Sequence, residues 1–228
     1  MKYQLILTED GSHTIYMEEL NEHYHSVYGA LQESRHVFIN AGLKACNSQQ
    51  VNILEIGFGT GLNALLTFFE AEARNQQIHY TACEPFPVTE MMWKQLNYAT
   101  LFTEENASTI FDSMHATEFG REVQMNGNFT FQKIAQKIEN ANLLENHFHL
   151  IYFDAFAPAV QPELWTYQIF KKLFDATDND GVLVTYSAMG EVRRSMTKAG
   201  FKVERLPGPP GKREMLRAMK KSYHYGSL

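Results

Sequence analysis

Apolar and polar positions follow one another along the chain in a pattern that predicts strands followed by helices. Four short apolar runs suit the buried strands of a parallel sheet: residues 51–56, 78–84, 148–154 and 181–187. Three further segments have the spacing of amphipathic helices: residues 62–69, 162–176 and 191–199. Repeated units of a strand and a helix are typical of an α/β fold that is built on a parallel sheet.

The first part of the chain predicts a hairpin and a helix ahead of the parallel strands. Residues 2–8 and 13–18 alternate between apolar and polar side chains about a short turn, and the second half of residues 23–39 has helical spacing. We expect these elements to form an N-terminal appendage, residues 1–48, packed on a Rossmann-like domain, residues 49–228.

The remaining segments complete the predicted order of elements. We expect a helix over residues 85–98, because two prolines suit its start, and several short helices over residues 103–128. A strand at residues 129–134 follows. Residues 201–206 and 213–219 flank a turn rich in proline and glycine, so they predict an antiparallel hairpin near the end of the chain.

A glycine-rich turn, Glu55-Ile-Gly-Phe-Gly-Thr-Gly-Leu-Asn63, links the first parallel strand to a helix. Its glycines let the backbone approach a ligand closely, and the helix start offers free N–H groups. The third glycine arrives one residue earlier than in the G-x-G-x-x-G turn of dinucleotide-binding folds, and Glu55 precedes the first. The turn therefore resembles the S-adenosylmethionine loop of class I methyltransferases; a tight turn that binds no ligand is the alternative.

A second acid, Glu84, ends the predicted strand at residues 78–84. Rossmann-type sheets place a carboxylate at this point, where it accepts hydrogen bonds from the ribose hydroxyls of a cofactor. Enzymes that use nicotinamide cofactors or S-adenosylmethionine share this acid. Glu84 thus predicts a ribose-bearing cofactor without choosing between the two, and a solvated strand end is the alternative.

A third acid begins the sequence Asp154-Ala-Phe-Ala-Pro158 at the end of another predicted strand. Ligands of open α/β sheets bind outside the carboxyl ends of the strands, so we expect Asp154 in the same crevice as the glycine turn. The order of acid, aromatic residue and proline resembles the Asp/Asn-Pro-Pro-aromatic loop of amino-group methyltransferases. A carboxylate there can accept N–H hydrogen bonds from an amine and favour loss of its proton. The alternative is an aspartate that caps a turn or helix.

The composition of the 228 residues narrows the functional classes. Hydrophobic residues make up 44% of the chain, enough for a full core, and no apolar run approaches the ~20 residues of a membrane span. We therefore expect a cytoplasmic protein that does not contact a membrane. Two distant cysteines lack the spacing of a zinc site or a disulfide framework. The pair His23 and His25 has no acidic ligand pattern around it, which favours a surface or packing role, so no metal is expected.

Charge is distributed unevenly along the chain. The net charge is −6, yet residues 171–228 contain 12 Lys+Arg and 6 Asp+Glu, a local charge of +6. Residues 1–170 contain the other 8 basic and 20 acidic residues, a local charge of −12. The basic part can meet phosphates, and a solvated basic surface explains it equally well.

Longer motifs make the family resemblance specific. They are similar to the methyltransferase module of the tRNA wobble-uridine family MnmC: residues 29–38, 55–63, 152–158, 162–165, 186–194 and 208–216. In bifunctional members of that family an oxidase follows this module, whereas the present chain resembles the stand-alone, MnmD-type form. The resemblance implies a class I S-adenosylmethionine-dependent methyltransferase with a Rossmann-like sheet of seven strands.

The same resemblance implies a reaction and its residues. The reaction is methylation of the 5-aminomethyl group of 2-thiouridine at the tRNA wobble position, giving 5-methylaminomethyl-2-thiouridine. The anticodon arm of tRNA is then the partner, and a separate FAD-dependent oxidase acts upstream. The implied cofactor contacts are Glu33, Glu55, Gly57, Phe58, Gly59, Thr60, Gly61, Asn63, Glu84 and Asp154. The implied reacting and substrate-binding residues are Asp154, Phe156, Pro158, Lys212 and Arg213.

One position departs from the family pattern. Relatives often have Gly-Asp after the strand at residues 129–134, where the acid meets the adenine amino group, and here the pair is Gln136-Lys137. Glu139 is the alternative acid for the adenine contact, and only its position in the sequence supports this role.

Two other functions fit part of the same sequence. A methyltransferase or aminopropyltransferase acting on a small-molecule amine would share the glycine turn and the acids but would not need the basic C-terminal part. A noncatalytic subunit that binds S-adenosylmethionine would need the glycine turn but not Asp154. The early third glycine disfavours a nicotinamide oxidoreductase.

Overall fold

Strands alternate with helices along the chain, as a computed structural model that describes residues 2–222 shows. The strands are β1 (Tyr3–Leu7), β2 (His13–Met17), β3 (Glu22–His23), β4 (Gln50–Ile56), β5 (Gln77–Cys83), β6 (Glu122–Asn126), β7 (Phe129–Ile134), β8 (Phe148–Phe153), β9 (Thr177–Thr185), β10 (Lys202–Pro207) and β11 (Glu214–Met219). The α-helices are α1 (Ala30–Ser34), α2 (Leu62–Arg74), α3 (Glu90–Trp93), α4 (Ala107–Ala116), α5 (Tyr167–Ala176) and α6 (Gly190–Ala199).

Eight of the strands form one mixed sheet in the order β10-β11-β9-β8-β4-β5-β7-β6. The five central strands, from β9 to β7, run parallel, and antiparallel strands flank them on both sides. The strand order reverses between β4 and β8, and such a reversal opens a crevice at the carboxyl ends of the strands. The α/β, Rossmann-like fold that the sequence predicts is confirmed.

Apolar side chains cover both faces of the sheet. Phe38 and Phe68 belong to the cluster on one face, which α2 and the π-helical turn Arg35–Asn40 cover. Phe153 and Phe170 belong to the cluster on the other face, which α5 and α6 cover. Because β4 and β8 are buried between the two clusters, the loops at their carboxyl ends start from fixed positions.

Strand β6 corrects the prediction of a seven-stranded sheet. The sequence predicts only short helices over residues 103–128, whereas α4 is followed there by β6, which pairs antiparallel with β7. The turn between the two strands is short, and Asn126 Oδ1 accepts a hydrogen bond from the Asn128 N–H at 2.8 Å. Since β6 lies at the sheet edge, its residues are exposed or half-buried, and it lacks the apolar run that marks the buried strands.

Two predicted helices are shorter than the sequence indicates. Residues 85–98 contain only the single turn α3, and a 3₁₀ turn, Tyr98–Leu101, follows. Residues 162–176 are divided into a 3₁₀ turn, Pro162–Trp165, and α5, because the backbone of Thr166 is extended. Within residues 2–222, none of the helices has the length and apolar character needed to cross a bilayer.

The N-terminal residues form a small three-stranded antiparallel sheet, β1-β2-β3, followed by α1. The side chain of Asn97 joins this sheet to the rest of the chain, because it accepts from the His13 N–H and donates to the Gly11 oxygen, both at 2.8 Å. His36 Nε2 lies 2.8 Å from the Pro207 oxygen, which joins the same region to the end of β10. The division of the chain at residue 48 stays a prediction.

Candidate functional site

A cavity of about 480 Å³ lies at the carboxyl ends of β4, β5 and β8. Its wall combines segments that are far apart in sequence: residues 22–27 of the appendage, residues 56–60 of the glycine turn and residues 154–157 after β8. A concave site of this volume is within the range of small-molecule and cofactor pockets.

The glycine turn brings three loops into contact. Gly57 and Gly59 have positive φ angles of 88° and 49°, which glycine adopts with little strain. A Cβ on Gly57 would lie 2.6 Å from the Asp154 backbone oxygen, and one on Gly59 would lie 3.0 Å from the ring of Tyr24. Larger residues would therefore push the turn away from the loop after β8 and from the appendage.

Glu84 is fixed by the backbone on two sides. Its Oε2 accepts from the Gly59 N–H at 2.9 Å, and its Oε1 accepts from the Phe86 N–H at 2.7 Å. Burial raises the pKa of Glu84, and the two backbone hydrogen bonds oppose this rise. Each carboxylate oxygen keeps a further lone pair, so Glu84, which lines the cavity, can still accept a hydrogen bond from a ligand hydroxyl.

Asn63 joins two carboxyl groups beneath the cavity. Its Nδ2 lies 3.0 Å from Glu55 Oε1 and 2.8 Å from Asp154 Oδ2 and donates to both. Glu55 is fully buried, and this burial raises the pKa of its carboxyl group well above the usual value. Glu55 and Asn63 lie behind the cavity wall, whereas Asp154 is part of it.

Asp154 has the chemistry expected of a group that exchanges protons near neutral pH. Burial, reinforced by the negative charge of Glu33, raises the pKa of Asp154 to about 7. The hydrogen bond from Asn63 and the positive charge of Lys212 act in the opposite direction. Both protonation states of Asp154 are therefore populated at pH 7, and the carboxylate form can accept a proton from a bound amine.

An ion pair closes the cavity on the appendage side. Glu33 Oε2 accepts from the Ser26 N–H at 2.8 Å, and Glu33 Oε1 pairs with Lys212 Nζ. The ammonium group of Lys212 also lies 4.1 Å from the ring centroid of Tyr186. The Tyr186 hydroxyl donates to the Ala155 oxygen at 2.8 Å, so these contacts lead back to the loop that carries Asp154.

The cavity residues that the sequence does not predict include Tyr24, His25 and Tyr186. The rings of Tyr24 and Phe156 pack edge to face, with centroids 5.0 Å apart. His25 Nε2 lies 2.7 Å from Thr60 Oγ1, and burial lowers the pKa of His25 to about 4, so its ring is neutral. No local sequence signal marks these positions, because contacts between distant segments bring them together.

Other predicted site residues lie outside the cavity wall. A Cβ on Gly61 would meet His115, which faces away from the cavity, and Pro158 does not reach the wall. Arg213 is exposed, whereas its neighbour Lys212 lines the cavity. Within residues 2–222, no group of three or more His, Cys, Asp or Glu side chains is arranged to hold a metal ion.

The predicted adenine region also belongs to the wall. Lys137 and Glu139 line the cavity, whereas Gln136 does not. The Gln136 backbone oxygen instead accepts a hydrogen bond from Cys83 Sγ at 2.8 Å. Of the residues considered for the adenine amino group, Glu139 is thus the acid that reaches the cavity.

Comparison with known proteins assigns the family. A family model described as S-adenosyl-L-methionine-dependent methyltransferase matches residues 97–221, more than half of the chain. The chain belongs to this family. Its cofactor is therefore S-adenosylmethionine, and the cavity contains the glycine turn and the acid after β5 that such enzymes use.

The chain is also similar to part of several larger proteins. The tRNA 5-methylaminomethyl-2-thiouridine biosynthesis bifunctional protein MnmC of Azoarcus sp. (strain BH72) is 31% identical over 227 residues, which cover 93% of this chain and 35% of that protein. The protein of the same description from Paraburkholderia xenovorans (strain LB400) is 31% identical over 211 residues, 85% of this chain and 31% of that protein. The chain thus spans about a third of the length of the curated relatives it matches.

Solved structures support the methyltransferase fold. MNMC2 from Aquifex aeolicus superposes with a TM-score of 0.74 at 23% identity, covering 97% of this chain and 71% of that one. Spermidine synthase from Thermotoga maritima gives a TM-score of 0.53 at 15% identity, covering 96% of this chain and 72% of that one. At these identities the likeness concerns the fold alone.

The residues of the cavity fit S-adenosylmethionine. Gly57 and Gly59 line the cavity without a side chain, so a ligand there can approach the backbone closely. Glu84 can accept hydrogen bonds from ribose hydroxyls. Among the described wall residues, six are acids and two are lysines, a charge balance that suits the positive sulfonium and ammonium groups of the cofactor.

Proposed function

We propose that this methyltransferase acts on the 5-aminomethyl group of 2-thiouridine at the wobble position of tRNA and produces 5-methylaminomethyl-2-thiouridine. The observation that carries the proposal is the half-buried carboxyl group of Asp154, which Asn63 holds at the cavity wall next to the glycine turn. Two relatives that are 31% identical have a name that refers to the biosynthesis of this nucleoside.

S-adenosylmethionine supplies an electrophilic methyl group on a sulfonium. The chain's contribution is to place an uncharged amine in line with that methyl group and to take up the proton that the nitrogen loses as its new bond to carbon forms and the S–C bond of the cofactor breaks. Asp154 suits both tasks, because its carboxylate accepts an N–H hydrogen bond and its pKa of about 7 lets it take up a proton near neutral pH. Phe156, next to Tyr24, offers an aromatic surface for the flat uracil ring.

The anticodon arm of tRNA is the partner in this proposal. A wobble base is already unpaired, so it can enter a pocket without the cost of opening a duplex. Arg213 is exposed beside the cavity residue Lys212, and this position suits a contact with a tRNA phosphate. A separate FAD-dependent oxidase would supply the 5-aminomethyl group, and a tRNA substrate places the reaction in the cytoplasm.

The decisive experiment measures transfer of labelled methyl groups from S-adenosylmethionine to tRNA. The acceptors are tRNA that carries 5-aminomethyl-2-thiouridine, unmodified tRNA and spermidine, and nucleoside mass spectrometry identifies the product. We expect label in 5-methylaminomethyl-2-thiouridine alone. Label in spermidine would replace the proposal with a small-amine transferase, and cofactor binding without any transfer would replace it with a noncatalytic subunit.

A further inference from the structure

The cavity wall contains a lysine, Lys212, whose positive charge bears on the protonation state of the acceptor amine. Six carboxylates line the wall, and such a site stabilises the protonated form of a bound amine. A protonated amine has no lone pair and cannot attack a methyl group. The acidic wall that favours the cofactor therefore works against the acceptor, unless a positive charge lies close to the amine.

Lys212 is that positive charge. It reaches the wall from the turn between β10 and β11 and is held there on two sides, by the carboxylate of Glu33 and by the ring of Tyr186 at 4.1 Å. Glu33 is itself fixed by the Ser26 N–H and is only 5% exposed, so the ion pair has a defined position. The positive charge of Lys212 acts to lower the pKa of Asp154, which lines the same cavity.

We propose that Lys212 is a specificity-determining residue that keeps the acceptor amine uncharged and disfavours polycationic amines. The identity of the acceptor rests on the proposed function. A fixed ammonium group beside the amine raises the free energy of its protonated form, and the free amine with its lone pair is left as the bound species. Polyamines carry several charges that this field repels, so the same residue favours a single weakly basic amino group.

The groups around Lys212 determine the sign of the effect. Glu33 and the neutral His25 face it from the appendage, Asp154 from the loop after β8, and Tyr186 from the loop after β9. Glu22, Glu84, Glu139, Glu163 and Lys137 line the same wall. Removing Lys212 leaves Lys137 as the one cation among the described wall residues, against six acids, and the amine should then bind its proton more tightly.

The test is the pH dependence of kcat/KM for methyl transfer to tRNA that carries 5-aminomethyl-2-thiouridine. In Lys212→Met the rising limb of the profile should move to higher pH by about one unit, which corresponds to about tenfold lower kcat/KM at pH 7 with recovery at high pH. Glu33→Gln should move the limb to lower pH, because it removes the opposite charge. Lys212→Arg should leave the limb in place, because the charge is kept.

Lys44→Met is the matched control, since Lys44 pairs with Glu70 at 3.4 Å outside the cavity. Its profile should coincide with that of the wild type. Calorimetric titration with S-adenosylmethionine confirms for each variant that the cofactor site is intact. The proposal would be overturned if Lys212→Met lowered kcat/KM by the same factor at every pH. It would also be overturned if Lys212→Met and Glu33→Gln shifted the profile in the same direction.

A second readout does not need turnover. Spermidine should bind Lys212→Met at least about fivefold more tightly than the wild type and Lys212→Arg, as removal of one repulsive charge requires. Equal spermidine affinity in the wild type and Lys212→Met would overturn the proposed role. If wild-type protein methylates no tRNA, the proposed function fails, whereas a methylating wild type with unshifted Lys212→Met profiles removes the role of Lys212 alone.

Discussion

The two sides of the cavity differ in how the chain builds them. On the sheet side, the glycine turn, Glu84 and Asp154 each follow directly after a buried parallel strand. On the appendage side, the wall depends on contacts between distant segments, such as the pair of Glu33 and Lys212, which are 179 positions apart. Local structure thus fixes one side, and tertiary packing fixes the other.

This difference separates two tasks. The sheet side offers backbone amides, a tight turn and carboxyl groups whose positions follow from the strands, and these features suit a cofactor that a whole family shares. The appendage side offers Tyr24, Glu33 and Lys212, which surround the loop of Asp154. We infer that the appendage side adapts a common cofactor site to one acceptor.

Loss of Asp154 should have the largest effect, because this residue lies where the two sides meet. Asp154→Ala is expected to lower kcat by at least ~100-fold, the scale of a positioned acid or base, while the fold is retained. Turnover of labelled cofactor and the thermal unfolding transition measure the two quantities. Near-normal turnover would show that Asp154 has no role in the reaction.

The wild-type pH profile tests the same residue. The folded-state pKa of Asp154 is about 7, raised from the ordinary value of 3.8, and its charged form is the one that accepts a proton. Activity that depends on this carboxylate should therefore increase with pH through about 7 and fall below it. A profile that is flat between pH 6 and pH 8 would contradict this role.

Gly57 tests the sheet side alone. Gly57→Ala places a Cβ 2.6 Å from a backbone oxygen that cannot move easily, and it also strains a φ of 88°. We expect a loss of more than tenfold in cofactor affinity and a decrease in the free energy of unfolding larger than the about 1–2 kcal/mol of left-handed strain. Gly120→Ala is the matched control, because Gly120 has a φ of 81° and nothing lies within 4 Å of its Cβ position. Equal effects of the two changes on cofactor binding would show that the contact at Gly57 is unimportant.

The sequence predicts the sheet side well for a physical reason. A buried strand needs a continuous apolar run, and a close approach of backbone to ligand needs glycine, so Ile56 and Gly57 indicate structure and site within a few residues. The edge strand β6 has no such apolar run, so the sequence does not predict it. The same holds for Tyr24 and Tyr186, whose role depends on which distant loops they contact.

Asn63 shows the limit of motif reasoning at a single position. The glycine motif places it next to the cofactor, whereas the structure places its amide between Glu55 and Asp154, behind the cavity wall. The spacing along the chain correctly places Asn63 in the first turn of α2. The direction of its side chain depends on its contact with Asp154, which follows β8 and lies 91 positions away in the sequence.

Asn63→Ala should decrease kcat by an intermediate amount, and the size of the decrease should depend on pH. The hydrogen bond from Asn63 lowers the pKa of Asp154, so its loss should raise this pKa above about 7 and move the activity profile to higher pH. We expect a decrease of about tenfold in kcat at pH 7, with partial recovery at pH 9, from kinetics at saturating cofactor. Asn52→Ala is the control, since Asn52 lies near the start of β4 and donates to the His147 oxygen at 3.2 Å. A decrease of equal size at both pH values would indicate a packing defect instead.

Arg213 should give the smallest effect and tests how far the appendage side extends toward tRNA. Its side chain is exposed next to Lys212, so a phosphate contact would be screened by salt. Arg213→Ala is expected to weaken tRNA binding a few-fold and to reduce the slope of log K against log salt by about one, without a change in cofactor affinity. Arg121→Ala removes an exposed arginine just before β6, at the opposite edge of the sheet, and should leave the slope unchanged. If both variants lower the slope equally, tRNA responds to net charge rather than to a contact at Arg213, and the acceptor specificity of this enzyme ends at the cavity wall.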